Sequence, residues 1–137
     1  MSSRGSSISA SAPTGDKPAR QRILVVEDSP VVAPFAADVL DELGFDVVGP
    51  APNLAVAREL IEEGGFDAAL VDVYIRGERV FPMCDMLEAK GVPFVLTSGY
   101  GDWQLPEKLE DRPRLLKPYT MEQVKQALDA LIGDQKA

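Results

Sequence analysis

Glu27 and Asp28 stand side by side directly after the aliphatic run Ile23-Leu24-Val25-Val26. Adjacent carboxylates at the end of a buried strand repel each other and lose solvation, so a fold gains nothing from the pair unless a cation joins them. Other reactive side chains end apolar runs in the same way: Asp72 closes "DAALVD" (67–72), Thr97 and Ser98 close "PFVLTS" (93–98), and Lys117 closes "RPRLLK" (112–117). If these runs are strands of one sheet, three carboxylates, a hydroxyl pair and an amine are projected to one edge. Mg²⁺ suits such a set, because it favours carboxylate oxygens in an octahedral shell and keeps waters to exchange with phosphate. With the ion among the acids, Asp72 can act as a nucleophile toward a phosphoryl group and become an aspartyl phosphate, while Lys117 neutralises charge on the transferring oxygens. A hydroxyl at Ser98 offers the phosphate a hydrogen-bond partner; strand alternation lets one of Thr97 and Ser98 face the site and sends the other to the core.

The positioning elements follow from the apolar pattern. The runs "RILVVE" (22–27), "FDVVGP" (45–50), 67–72, 93–98 and 112–117 read as five strands. Between them lie helix candidates. One runs from about Val31 to Gly44 with Phe35, Val39, Leu40 and Leu43 on one face, and Pro34 in its first turn. The second runs from the N-cap Asn53 to Gly64-Gly65, and the third from about Val80 to Lys90. A weak fourth near "DWQLPEKLE" is interrupted by Pro106. The last opens on a Thr120/Gln123 capping box and carries Val124, Ala127, Leu128, Leu131 and Ile132 at helical spacing. Alternation of five strands and five helices predicts an α/β fold, a parallel sheet covered on both faces, whose ligands sit beyond the carboxyl ends of the strands.

The chain has 137 residues, 45% of them hydrophobic, enough for one domain with a sizeable core. Its 22 acidic against 14 basic residues give a net charge of −8, which argues against nucleic acid or an anionic membrane surface as partner. Cys84 is the single cysteine, so no intramolecular disulfide is available, and no apolar run approaches the length of a membrane span. A cytoplasmic protein is the expectation. Residues 1–20, rich in Ser, Gly, Pro and Ala, are expected to be a disordered tail, and 21–134 the folded domain.

"VVEDSP", the "LVD" at the end of the third run, "TSGY" and "LLKP" together resemble the receiver domain of bacterial two-component response regulators, over residues 22 to 133. Each piece alone is common; in this order, each at a strand end and with a 44-residue step from Asp28 to Asp72, they are specific. The resemblance implies a doubly wound sheet of order 2-1-3-4-5. It implies Mg²⁺ ligation by Glu27, Asp28, Asp72 and the backbone carbonyl of Tyr74, phosphoacceptance by Asp72, the family's hydroxyl at Ser98, phosphate pairing by Lys117, and a cis Lys117-Pro118 peptide.

"PFVLTSGYG" (93–101) further resembles the FAT GUY group of stand-alone receivers, which serve phosphorelays of the general stress response, with Leu96, Thr97 and Ser98 where that pattern has Phe, Ala and Thr. Three residues before the strand-five lysine, where receivers carry Tyr or Phe, this chain has Arg114, so Tyr100, together with Thr97, is the candidate switch. The fourth helix is expected to be short or irregular.

The implied function is that of a single-domain response regulator. It would take a phosphoryl group from a sensor histidine kinase in a Mg²⁺-dependent reaction, as a stoichiometric acceptor rather than an enzyme. No output domain follows Ala137, so it would signal to a downstream regulator or phosphotransfer protein, as a monomer or a phosphorylation-dependent dimer. Val31, Val32 and Tyr119 are the candidate kinase contacts. A pseudo-receiver that is never phosphorylated, and a small phosphatase or mononucleotide-binding module on the same fold, are the alternatives; Tyr74 stands where an aspartate-based phosphatase usually needs a second acid.

Overall fold

A computed structural model describes residues 20–99, 105–110 and 112–133. Seven strands and four α-helices are assigned among them. In chain order these are β1 (Arg22–Val26), α1 (Val32–Glu42), β2 (Asp46–Ala51), α2 (Leu54–Glu63), β3 (Ala68–Asp72), β4 (Tyr74–Ile75), β5 (Glu78–Arg79), α3 (Phe81–Ala89), β6 (Phe94–Ser98), β7 (Arg114–Leu116) and α4 (Met121–Leu128).

Ile23 to Val26 and Ala68 to Asp72 are buried without interruption, the mark of strands covered on both faces, and they occupy the inner part of a five-stranded parallel sheet. Its order is β2-β1-β3-β6-β7. Counting only these five strands, that is the 2-1-3-4-5 order of a doubly wound sheet. Alternation sends Leu24, Val26, Ala69, Val71, Phe94 and Leu96 to the side of α2 and α3, where Ile61, Met83 and Leu87 meet them. Ile23, Val25, Ala68, Leu70 and Val95 point the other way, toward Val39 and Leu40 of α1 and Val124 and Leu128 of α4. Fully burying one such side chain contributes roughly 1.5–3 kcal/mol, so the sheet edge that carries the reactive groups rests on a stiff, two-sided support.

Local signals fix where the helices start and stop. The Ser29 hydroxyl accepts from the N–H groups of Val31 and Val32, so α1 begins just past Val31 and leaves Pro34 in its first turn. Arg20 donates to the carbonyls of Asp41, Gly44 and Phe45, tying the residue ahead of β1 to the end of α1 and the turn that follows it. Asn53 caps α2 through the Val56 N–H, and Thr120 and Gln123 form the reciprocal box that opens α4. On the edge strand β2, the register with β1 shifts between Leu24 and Val26, where Gly49 has φ +95°; a Cβ there would lie 2.7 Å from the Ala51 nitrogen.

The fourth helix, expected near residues 102–110 to be short or irregular, is among the described residues a single 3-10 turn, Glu107–Leu109, so four α-helices flank the sheet. Pro106 stands at the head of this turn and cannot donate to a longer helix, while Leu109, fully buried, pins the turn to the core. The stretch after β3 is a small antiparallel hairpin, β4–β5, turning at Arg76-Gly77. Among the described residues no helix is long and apolar enough to cross a membrane.

Candidate functional site

The parallel order brings the carboxyl ends of β1, β3, β6 and β7 to one edge, and the polar residues that the apolar runs end on meet there. Glu27 and Asp72 are almost fully buried, with side chains 2% and 6% exposed. Between them sits the Lys117 ammonium, which donates to Asp72 Oδ2 at 2.9 Å and to the two Glu27 oxygens at 3.2 and 3.3 Å. Lys117 follows β7, whose end is held by the Lys117 N–H bond to the Ser98 carbonyl, so the amine is aimed by the sheet itself. The Lys117-Pro118 peptide is cis.

Main-chain donors hold the acids. The Ser29 N–H bonds Glu27 Oε2 at 3.1 Å, the Tyr74 N–H bonds Asp72 Oδ1 at 3.2 Å, and the Arg76 N–H bonds Asp28 Oδ2 at 2.8 Å. Glu27, Asp28 and Asp72 each offer a carboxylate oxygen within 4.8 Å of the others. One ammonium against three such acids leaves the cluster negative. Burial pushes the Glu27 carboxyl above its ordinary value and the charge of Asp72 pushes it further, while the Ser29 N–H and Lys117 pull the other way without cancelling this. Loss of solvation works against the Lys117 charge, yet the hydrogen bonds and charges of Asp72 and Glu27 raise its pKa above the ordinary lysine value. A close oxygen triad with surplus negative charge fits a hard divalent cation such as Mg²⁺.

The acids open onto a cavity of about 660 Å³ lined by Asp28, Ser29, Asp72, Tyr74, Arg76, Gly77, Gly99 and Lys117. Asp72, the last residue of β3, is paired in register with Thr97 of β6. Thr97 and Ser98 are both buried at the end of β6, while Gly99, the next residue, forms the wall. Tyr100, the candidate switch, lies outside the described residues.

Next along the chain from the cavity residues Ser29 and Lys117, Val31, Val32, Phe35, Pro118 and Tyr119 line an apolar groove of about 260 Å³. Val31 is 76% exposed, whereas Tyr119 is buried, its ring 5.9 Å from that of Phe35. Burial, then the charges of Glu27 and Asp72, push the Tyr119 phenol well above its ordinary value, so it stays neutral. The three contact candidates thus share one surface, with Tyr119 as its floor.

Sequence reasoning missed two members of this region. Helical spacing puts Phe35 on the core face of α1, yet it is 42% exposed and lines the groove. The Arg76 link to Asp28 runs through the main chain, which residue types do not reveal; its available signal was Arg-Gly in a short turn after the strand.

No family model matches the chain. SdrG from Sphingomonas melonis Fr1 is 40% identical, with 85% of this chain and 99% of that one covered and a TM-score of 0.76. SdrG in its BeF3-activated conformation, from Pseudomonas melonis Fr1, gives 40% identity, 81% and 95% coverage, and a TM-score of 0.70. The receiver domain of the sensor histidine kinase PA1611 from Pseudomonas aeruginosa PAO1, solved with a magnesium ion coordinated in its active site cleft, shares the fold. Its identity is 24%, with 84% of this chain and 99% of that one covered at a TM-score of 0.73. The transcriptional regulatory protein PdtaR of Mycobacterium tuberculosis is 25% identical over 127 residues, 88% of this chain and 62% of PdtaR. The chain therefore spans about three fifths of the length of that curated relative.

Proposed function

Because this chain belongs to the CheY-like response regulator receiver domains, we propose that it accepts a phosphoryl group on Asp72 from a phosphohistidine of a sensor histidine kinase. The observation that carries this reading is the Lys117 ammonium 2.9 Å from Asp72 Oδ2, at the floor of an open cavity rather than sealed in the core. In the transfer, an Asp72 carboxylate oxygen attacks phosphorus as the N–P bond breaks. The electron pair of that bond returns to the histidine nitrogen, which leaves as neutral imidazole, its proton on the other ring nitrogen.

Glu27, Asp28, Asp72 and the Tyr74 carbonyl would hold Mg²⁺, which when bound supplies positive charge to the phosphoryl oxygens. Lys117 orients the Asp72 carboxylate and meets the same oxygens from the other side. Ser98 is the proposed hydroxyl donor to them, and Thr97 and Tyr100 the residues that report phosphorylation.

The groove at Val31, Val32, Phe35 and Tyr119 supports docking of the kinase's helical bundle, because an apolar, open wall next to the cavity lets a helix bring its histidine to Asp72. The stretch 93–101 supports service in a phosphorelay of the general stress response, in the cytoplasm, with a further regulator or phosphotransfer protein as recipient. The receiver unit is taken as residues 21–134, preceded by a tail. Phosphotransfer from a panel of co-encoded histidine kinases tests the reading: at least one should label the chain rapidly with Mg²⁺ present. No transfer from any of them, with acetyl phosphate also inert, would favour a pseudo-receiver.

A further inference from the structure

Charge balance points to a residue of the site that neither the family resemblance nor residue spacing singles out. Glu27, Asp28 and Asp72 against Lys117 leave the apo site two charges negative, which one divalent ion cancels. Phosphorylation replaces the single charge of Asp72 by roughly two at neutral pH, so the loaded site again lacks about one positive charge. Of the described residues that line the cavity, Lys117 and Arg76 carry positive charge, and Lys117 is already counted.

Arg76 is placed to supply it. It sits at the tip of the β4–β5 hairpin, where its main-chain N–H is fixed on Asp28 Oδ2 at 2.8 Å. Its side chain is held much more loosely. The guanidinium Nε reaches the Pro52 carbonyl at 3.4 Å, in an exposed position and at the long limit of hydrogen-bond geometry. The base of the hairpin is braced: the Arg79 guanidinium lies over the Tyr74 and Phe81 rings at 5.4 and 5.7 Å. A braced hairpin with a loosely held cation at its tip can re-aim that cation without refolding.

The backbone adds a second argument. Arg76 and Gly77 have φ of +54° and +80°, the pattern of a tight hairpin turn that favours Asn or Gly at both central positions. Arginine is a costly residue there. The turn itself gives no reason for arginine at this position.

We propose that Arg76 is a phosphoryl-binding residue: on phosphorylation its guanidinium leaves the Pro52 carbonyl and pairs with the phosphoryl oxygens at the cavity mouth. A planar guanidinium donates two parallel hydrogen bonds to such oxygens. The proposal rests on the reading of Asp72 as phosphoacceptor.

Beryllofluoride with Mg²⁺, the phosphoryl stand-in that activates SdrG, separates the two claims. Arg76→Asn keeps the main-chain N–H on Asp28 and tolerates the left-handed backbone, so it removes the guanidinium, with its long Pro52 contact, and leaves the Asp28 bond in place; Arg76→Gly serves as a second variant should the first unfold. Calorimetric titration should give Mg²⁺ affinity within about twofold of native for the variant, with beryllofluoride affinity lower by about fivefold to twentyfold, a range set by one partly exposed charge pair. In the native chain the Arg76 Nε–H resonance should shift on beryllofluoride addition. Equal beryllofluoride affinity in native and variant, with that resonance unmoved, would overturn the proposal while leaving Asp72 intact as acceptor. A native chain that takes up no beryllofluoride at all would overturn both.

Discussion

Lys117 Nζ lies 2.9 Å from Asp72 Oδ2, although 45 positions separate them in sequence. The contact closes the gap between the two strands that flank β6, and it joins a lysine side chain 15% exposed to a carboxylate that is 6% exposed. At that depth the partners cannot be traded for water without cost, and removing one leaves the other buried and uncompensated.

Replacing Lys117 by Met keeps the length of the side chain and deletes its charge, leaving Glu27 and Asp72 facing each other. Lys117→Met should lose about 2–4 kcal/mol of unfolding free energy at neutral pH in the absence of divalent ions, read from urea denaturation. Saturating Mg²⁺ should return a large part of that loss, because the ion binds the folded acids and not the unfolded chain. An unchanged urea midpoint without Mg²⁺ would show that the ammonium does not hold the acids.

Glu27 governs the pH dependence. Its folded pKa is raised above 4.5 by burial and then by Asp72, so between 4.5 and the raised value the folded state binds more protons than the unfolded chain. Stability relative to a Glu27→Gln reference should therefore fall as pH rises through that window. Lys117 acts at the alkaline end: its contribution is complete below 10.5 and is lost as pH climbs through its raised folded value. Thermal unfolding of both proteins across pH checks the sign, and Mg²⁺ should flatten the Glu27 slope by taking the place of the proton. A native curve that rises against the reference in the acidic window would refute the charge account of the site.

The apolar groove makes a separate prediction. Val31 is 76% exposed, so Val31→Asp should change stability by no more than about 0.5 kcal/mol. It should nevertheless slow phosphotransfer from the cognate kinase by about tenfold or more, since a desolvated carboxylate would face the docking helix. Stopped-time transfer assays with equal kinase concentrations measure this, with Mg²⁺ affinity as the control. Native-like transfer by the variant would move docking to another face.

Much of this arrangement is legible in the sequence, for physical reasons. A strand buried on both faces must be apolar throughout, which marks β1 and β3, and the first polar residue after such a run has to emerge at the sheet edge. That is how Glu27, Asp28 and Asp72 declare themselves. Caps built from side chains, Asn53 and Thr120 with Gln123, are visible for the same reason: the residue types do the bonding. What depends on the main chain is not visible. The Arg76 N–H on Asp28 could belong to any residue, and strands of two residues such as β4 and β5 are too short to show alternation. Phe35 misleads because helical spacing gives its face but not the fact that the neighbouring surface stops at Pro118 and Tyr119, leaving the ring half outside. Pro106 signals a broken helix but not that a single turn would suffice to seat Leu109.

The central claim is that Asp72 takes up phosphate with a divalent ion beside it. Acetyl phosphate labelling of the native chain and of Asp72→Ala, each with and without Mg²⁺, tests it without a kinase. The account predicts acid-stable, base-labile label on the native chain only when Mg²⁺ is present, and none on the variant. Label on Asp72→Ala, or equal labelling of the native chain with the ion chelated, would contradict it.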